Sequence, residues 1–368
     1  MRSLAALLMV ASSLVDCPGS YGVVTAAPAQ ALLPAEVEWN TTLEEAAATT
    51  ATADATHIYI PLVNGKIVAL SRASGEQLWT ADLKTNWPLV AGEESLYAVS
   101  DASLVDLDPD TGTVRRRHPL PGEPTGPLTR VGELLLIPVQ PSLLVAWHLR
   151  ESKEIWRQTF DAPVTVAPAV SNSRATIIVA SKDRLSAAAL SDGARQWTTV
   201  LEGTLTQPVV VRDRVIVGST SDDVYALDSR GRWQWTWPGR ADIVGVTADA
   251  DNVYVAALDN IVRALKLENA SQEWRKVVAT RLAFPPQLAA STLLISGIEP
   301  ALTAVSVRGA EVGTYALPEL GYLAAAPLVL DAPEPESVTL VLLTRHGEVF
   351  GLRRPRPKEE SAPKPPAP

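Results

Sequence analysis

Three acidic clusters are the residues best suited by type to hold a hard cation: Asp108-Pro109-Asp110, Asp222-Asp223 and Asp249-Ala250-Asp251. Calcium takes about six to eight oxygen ligands gathered on one centre, and each of these pairs lies alone in a turn-type sequence. There the ordinary role of an Asp side chain is to accept backbone N–H groups. The histidines, His57, His118, His148 and His346, are scattered without metal-ligand spacing. No glycine-rich phosphate loop and no nucleophile elbow occurs. Asn40-Thr41-Thr42 and Asn269-Ala270-Ser271 match glycosylation sequons, a pattern short enough to arise by chance. Cys17 is the sole cysteine, which excludes an intramolecular disulfide. These residues lead to the expectation of no catalytic residue, no cofactor and no metal.

The elements that would position any such group are set by a repeat. Ala69-Leu70 is followed by Gly75 and Trp79, Ala226-Leu227 by Gly231 and Trp235, and Ala264-Leu265 by Trp274. Weaker copies run Asp106-Leu107 to Gly112 and Arg116, Ala146-Trp147 to Trp156, Ala189-Leu190 to Gly193 and Trp197, Ala304-Val305 to Gly309 and Gly313, and finally Gly351-Leu352. The terminal stations Trp39, Trp79, Arg116, Trp156, Trp197, Trp235, Trp274 and Gly313 are spaced 37 to 41 residues apart. Within a unit, His57-Ile58-Tyr59-Ile60, a turn at Asn64-Gly65 and Lys66–Leu70 form a hairpin pattern, and Asn252–Val255 with Ile261–Leu265 repeats it. Four short antiparallel strands in about 40 residues is the size of a propeller blade.

The ends complete the count. After Gly313 one unit lacks its last strand, and Glu36-Val37-Glu38-Trp39-Asn40 supplies a spare one at the other terminus. Pairing the two predicts an all-β fold, a single eight-bladed β-propeller of four-stranded antiparallel blades closed by the N-terminal strand. A seven-bladed ring would strand a half-unit. Closure removes sheet edges that otherwise invite aggregation. The small residue before the central Leu lets sheets approach, and the tryptophans Trp39, Trp79, Trp156, Trp197, Trp235 and Trp274 are expected to fill the gaps between blades, with a partner for each indole N–H. Pro88, Pro127, Pro168, Pro208, Pro285 and Pro327 recur where the first strand of a unit begins, as expected for an edge strand facing the central channel.

The N-terminus reads as an export signal. Arg2 precedes an apolar run from Leu4 to Val15, too short to span a bilayer. Two endings compete: small residues around Ala26 place a signal peptide at 1–26, while Leu14-Val15-Asp16-Cys17 resembles a lipoprotein site with a signal at 1–16 and Cys17 as the lipidation candidate. Asp16 departs from that site, where a small residue precedes the Cys. Residues 27–35 then form a tether, 36–352 the propeller, and 353–368 a disordered Pro-rich tail. The tail carries five basic residues against two acidic ones in a chain of net charge −9, so the propeller is acidic, which argues against nucleic acid as a partner.

Function on a propeller belongs to a face. The loops that join one blade's last strand to the next blade's first should share one face, and they hold Trp87, Trp237, Arg240, Arg281 and Tyr322. Trp, Tyr and Arg are favoured interface anchors, so these are the partner-binding candidates. The bland alternative is that the aromatics cap seams between blades.

The units Ala69–Trp79 and Asp106–Gly112 resemble the A-L-D-x-x-T-G-x-x-x-W repeat of quinoprotein-type (PQQ-like) propellers, from about Trp39 to Leu352. That repeat is shared by enzymes and binding proteins. Eight blades, export, a lipid-anchor candidate and a Trp-bearing closing strand resemble the BamB-type outer-membrane assembly lipoproteins. The resemblance implies a non-catalytic scaffold, a monomeric propeller in the periplasm or on the periplasmic face of the outer membrane, with protein partners such as the barrel-insertion machinery. The family's Ser-Leu-Ser-Leu-Arg-Gly-like partner-holding segment is missing after Trp156 and after Trp197. The second reading is a PQQ- or ligand-binding propeller, an oxidoreductase or a sensor. Quinoprotein enzymes bring a Trp floor, a calcium cluster, an Asp base and often a vicinal disulfide, which one cysteine cannot make.

Overall fold

A computed structural model describes residues 33, 35–171, 175–289, 291–297, 299, 301–317, 322–330 and 338–354. The signal peptide, Cys17 and the tail beyond Arg354 lie outside them. The described strands form eight four-stranded antiparallel sheets. Seven are continuous in sequence and span residues 52–82, 90–119, 129–159, 169–200, 209–238, 243–277 and 287–316, blades 1 to 7. The eighth is built from both ends of the chain: Leu328–Val329, Val338–Leu343, Glu348–Arg353 and, outermost, Glu36–Thr42. Trp39 pairs with Gly351 and Asn40 with Phe350 across this closing pair of strands. Arg353 bonds the carboxylates of Glu36, at 3.0 Å, and Glu38. Just before the strand, Leu33 is buried among Leu302, Leu317, Leu340 and Leu352 of blades 7 and 8. The eight-bladed, end-to-end closed propeller expected from the repeat is the fold observed.

Each blade is organised by alternation. The second and third strands are buried on both faces, as in His57–Pro61 and Lys66–Ser71, because each packs against a blade on either side. The outermost strands read exposed at alternate positions, as in Arg195–Val200 and Gln272–Val277. Innermost strands are two or three residues long except in blade 6, and Pro168, Pro208 and Pro327 immediately precede three of them. A residue without an N–H costs nothing on such an edge.

The seams obey one rule. In six blades the station Trp donates its indole N–H to a backbone carbonyl in the outer hairpin turn of the next blade, at 2.8 to 3.2 Å: Trp39 to Arg72, Trp79 to Pro109, Trp156 to Leu190, Trp197 to Ser229, Trp235 to Leu267 and Trp274 to Val307. In five of the six the indole lies on the left-handed glycine of that turn. A Cβ on Gly112, at φ +70°, would stand 2.4 Å from Trp79. Every outermost strand bulges by one residue beside its station. A bulge sharpens strand twist and so turns the Trp toward the next blade.

One repeat position differs from the sequence expectation. The cross-strand partner of Trp197 is Ala187, not Ala189. Three consecutive alanines allow either reading by pattern, and the bulge decides it. Leu190 instead occupies the turn and supplies the carbonyl that holds Trp156.

Blades 1 and 6 share a further device that the repeat did not announce. Asp54 accepts the backbone N–H of Thr56 and His57 and the hydroxyl of the fully buried Tyr59, at 2.5 Å. Asp249 does the same for Asp251, Asn252 and Tyr254, with the tyrosine at 2.6 Å. Each tyrosine then packs on its own station Trp, ring centroids 5.8 and 6.0 Å apart. Burial pushes both phenols well above their ordinary value, and the facing carboxylate adds to it. Each hydroxyl is therefore held in its donor form against its Asp.

Candidate functional site

Antiparallel strands fix the faces of the ring. Successive connections alternate between its two sides, so every loop from one blade's last strand to the next blade's first lies on the same face as the middle hairpin turns. Isolated backbone bridges tie the two kinds of segment together on that face: Ala47 to Leu62, Pro124 to Val139, Leu205 to Ser219, Leu282 to Gly297 and Leu323 to Thr344.

All five partner-binding candidates stand on this face, in two different states. Trp87 is half-buried against the cluster of Tyr97, Leu120 and Leu128 between blades 2 and 3, and Thr85 Oγ1 fixes its backbone N–H at 3.2 Å. Trp237 is half-buried between blades 5 and 6, with the guanidinium of Arg263 5.5 Å from its ring. Arg263 is itself buried and held by Asp259, Nη1 to Oδ1 at 3.1 Å. Burial raises the Asp259 carboxyl, but the hydrogen bonds and charge of Arg263 outweigh it and hold the group below the usual carboxylate range. Both tryptophans therefore do seam work.

Arg240, Arg281 and Tyr322 are exposed. They occupy consecutive loops, from blade 5 to 6, 6 to 7 and 7 to 8. Their backbones are pinned. Gly239 N–H donates to Asp222 O at 2.9 Å, Arg281 N–H to Glu299 Oε2 at 2.7 Å, and the Tyr322 carbonyl accepts Arg345 N–H at 2.8 Å. Glu299 also accepts the Thr280 hydroxyl. Burial pulls its carboxyl up, yet the bonds from Thr280 and Arg281 leave it below its ordinary value. Asp222 goes the other way, raised by burial and by the neighbouring Asp242. The result is three exposed anchor-type side chains, each on or beside a hydrogen-bonded backbone group, along one arc of the ring.

Asp108, like Asp249, accepts backbone N–H groups as its sequence context predicts, whereas Asp223 accepts the Tyr225 hydroxyl at 3.1 Å. Asp108 Oδ1 accepts Asp110 and Thr111 N–H at 3.0 and 2.9 Å, and Asp108 Oδ2 binds Arg115. Among the described residues no three of His, Cys, Asp and Glu come together in a cation-binding group. His118 packs at a tilt against Trp147, centroids 4.7 Å apart, and His148 Nδ1 accepts Glu151 N–H at 3.2 Å. A cavity of about 610 Å³ opens in the central channel on the side of blades 5 to 8, walled by Gln207, Val246, Pro285, Gln287 and Pro327. Gln287 Oε1 is buried there without a hydrogen-bond partner.

Comparison with known proteins adds to the geometry. The family described as outer membrane protein assembly factor BamB matches residues 30–131, 100–212 and 201–319. Among solved structures, BamB from Moraxella catarrhalis superposes with a TM-score of 0.67 at 14% identity, covering 88% of this chain and 98% of that one. The computationally designed Ika8 protein superposes with a TM-score of 0.71 at 11% identity, covering 85% and 98%. Identities this low speak for the shared fold. No curated protein matches the sequence.

Proposed function

Because the chain belongs to the family of the outer membrane protein assembly factor BamB, we propose that it is a non-catalytic scaffold of the cell envelope that holds a protein partner during outer-membrane protein assembly. The observation that carries this reading is the reach of the family match, from residue 30 to residue 319, which takes in the closing strand and blades 1 to 7. The docking face is the loop face, and the arc of Arg240, Arg281 and Tyr322 is its anchor set. Anchors of this type cost about 2 kcal/mol or more when truncated in an interface, roughly thirty-fold in affinity.

Purification of the tagged chain from native membranes should recover a barrel-insertion protein. The triple variant Arg240→Glu, Arg281→Glu, Tyr322→Ala should recover at least about tenfold less while melting at the same temperature. Recovery of no envelope protein by the wild type would remove the scaffold reading.

One observation favours a second reading, a small ligand in the channel: the partnerless Gln287 oxygen beside the cavity. A bound quinone would stabilise the fold by linkage, about 2.7 kcal/mol at a hundred times its dissociation constant. The scaffold reading expects no change in melting temperature with PQQ and Ca²⁺ in such excess. A saturable rise would promote the ligand-binding reading instead.

A further inference from the structure

The rim of the ring is a third surface, separate from both faces. Six of its seams are closed by a station Trp and the one between blades 7 and 8 by Leu33, while the seam beside Arg116 stays open as a cavity of about 630 Å³. Around the rim run the eight outermost strands described above, each hydrogen-bonded to one neighbouring strand only. Such an edge offers unpaired N–H and C=O groups to any extended chain, and charged side chains are the usual guard against pairing. Seven of the eight carry that guard, from the single Asp82 in Gln77–Asp82 to Arg115, Arg116 and Arg117 in Val114–Pro119. The outermost strand of blade 5, Trp233–Pro238, carries none and reads Trp-Gln-Trp-Thr-Trp-Pro. Arg232, just before it, is tied to Asp228 at 2.7 Å. Only Pro238, at the loop-face end, withholds a backbone donor.

Trp233 is the second departure on this strand. Trp235 and Trp237 pack toward blade 6. By simple alternation Trp233 would join them, but the bulge sets it opposite Leu227 and turns it to the blade 4 side. There its ring meets Tyr225 edge-on, centroids 5.4 Å apart, and it remains 50% exposed. It closes no seam, because Trp197 already does so between blades 4 and 5, bonded to the Ser229 carbonyl at 3.0 Å.

The edge dictates what can cover it. A row of backbone donors and acceptors is matched by another extended backbone. A strand without charge offers no ion pair to a charged guest, and an exposed Trp pairs across strands with aromatic and β-branched side chains. We propose that Trp233–Pro238 is a strand-addition site for an uncharged, extended segment of alternating apolar residues, the pattern of a β-strand in a chain that has not yet folded. This surface is independent of the loop-face anchors Arg240, Arg281 and Tyr322.

Fluorescence anisotropy with the fluorescein-labelled peptide Thr-Phe-Thr-Val-Thr-Phe-Thr-Val, added to the intact chain, tests this. The peptide should bind saturably with a Kd of about 100 μM or tighter. The same peptide N-methylated throughout lacks every backbone donor and should bind at least about tenfold more weakly. Thr236→Lys installs the missing guard at an exposed position, and should weaken binding at least about tenfold at unchanged melting temperature. Trp233→Ala provides a second variant with the same expected loss. The loop-face variant Arg240→Glu, Arg281→Glu, Tyr322→Ala should bind the peptide as the wild type does, which separates this site from the scaffold reading. Absence of saturable binding, equal binding of the N-methylated peptide, or undiminished binding by both folded strand variants would overturn the assignment. So would a wild-type dimer that Thr236→Lys converts to monomer in size-exclusion chromatography, since the edge would then be covered by a second copy.

Discussion

Removal of residues 36–42 should abolish the monomeric propeller. The deletion takes away the outermost strand of blade 8, leaves the outer edge of Glu348–Arg353 open, removes the buried Trp39 with its bond to Arg72, and detaches Leu33 from the seam of blades 7 and 8. Loss of a single buried Trp side chain costs about 3–5 kcal/mol, and a whole domain is stable by only about 5–15 kcal/mol. A ring that also loses a strand and gains an open edge should aggregate or melt far lower. Size-exclusion chromatography and a thermal melt decide it. A truncated chain that remains monomeric with unchanged stability would show that the closing strand is dispensable.

The second large effect concerns a seam. Trp79→Ala should destabilise by about 3–5 kcal/mol, since it removes the ring packed on Tyr59 and Gly112 and the indole bond to Pro109. Gly112→Ala should also destabilise, by about 1–2 kcal/mol for an L-residue in the left-handed region with overpacking of about 1–3 kcal/mol in addition, because its Cβ would meet the ring at 2.4 Å. The double variant should cost less than the two together, since the missing indole leaves room for the Cβ. Urea unfolding of the four proteins measures this coupling. Strict additivity would mean that ring and glycine do not share the seam as described.

Much of this was legible from spacing. The stations fixed the blade number, the spare strand at Glu36–Asn40 fixed the closure, and the prolines marked where blades begin, because each is a local pattern with one physical cause. Ala187 was misplaced by two residues because an alanine run carries no register, which only the bulge beside Trp197 supplies. The pairing of Asp54 with Tyr59 escaped notice, although an Asp five residues before a strand Tyr recurs at Asp249 and Tyr254. The substitutions at Arg116 and Gly313 were visible, but their outcomes were not. One void is filled by Leu33 from outside the repeat and the other stays open, and that depends on which residues the ring brings opposite them. Arg240, Arg281 and Tyr322 were separable from Trp87 and Trp237 only by exposure, which pattern does not report.

The eighth blade also sets an order of events in time. Arg353 and Glu38, bonded to each other, are 315 residues apart in the chain. Every other blade is complete within about 40 residues and can form as its own stretch emerges. Lengthening a closed loop from one blade to the whole ring adds about 2 kcal/mol of entropy cost by the slow logarithmic growth of loop closure. Contacts of such long range form slowly. The chain is therefore expected to stay an open arc of hairpins until its C-terminal strand has been made, with latching of Glu36–Thr42 onto Glu348–Arg353 as the last step, an order that pulsed hydrogen exchange would read as late protection of these two strands. A lock whose two halves lie 315 residues apart keeps the ring from closing before both have been made.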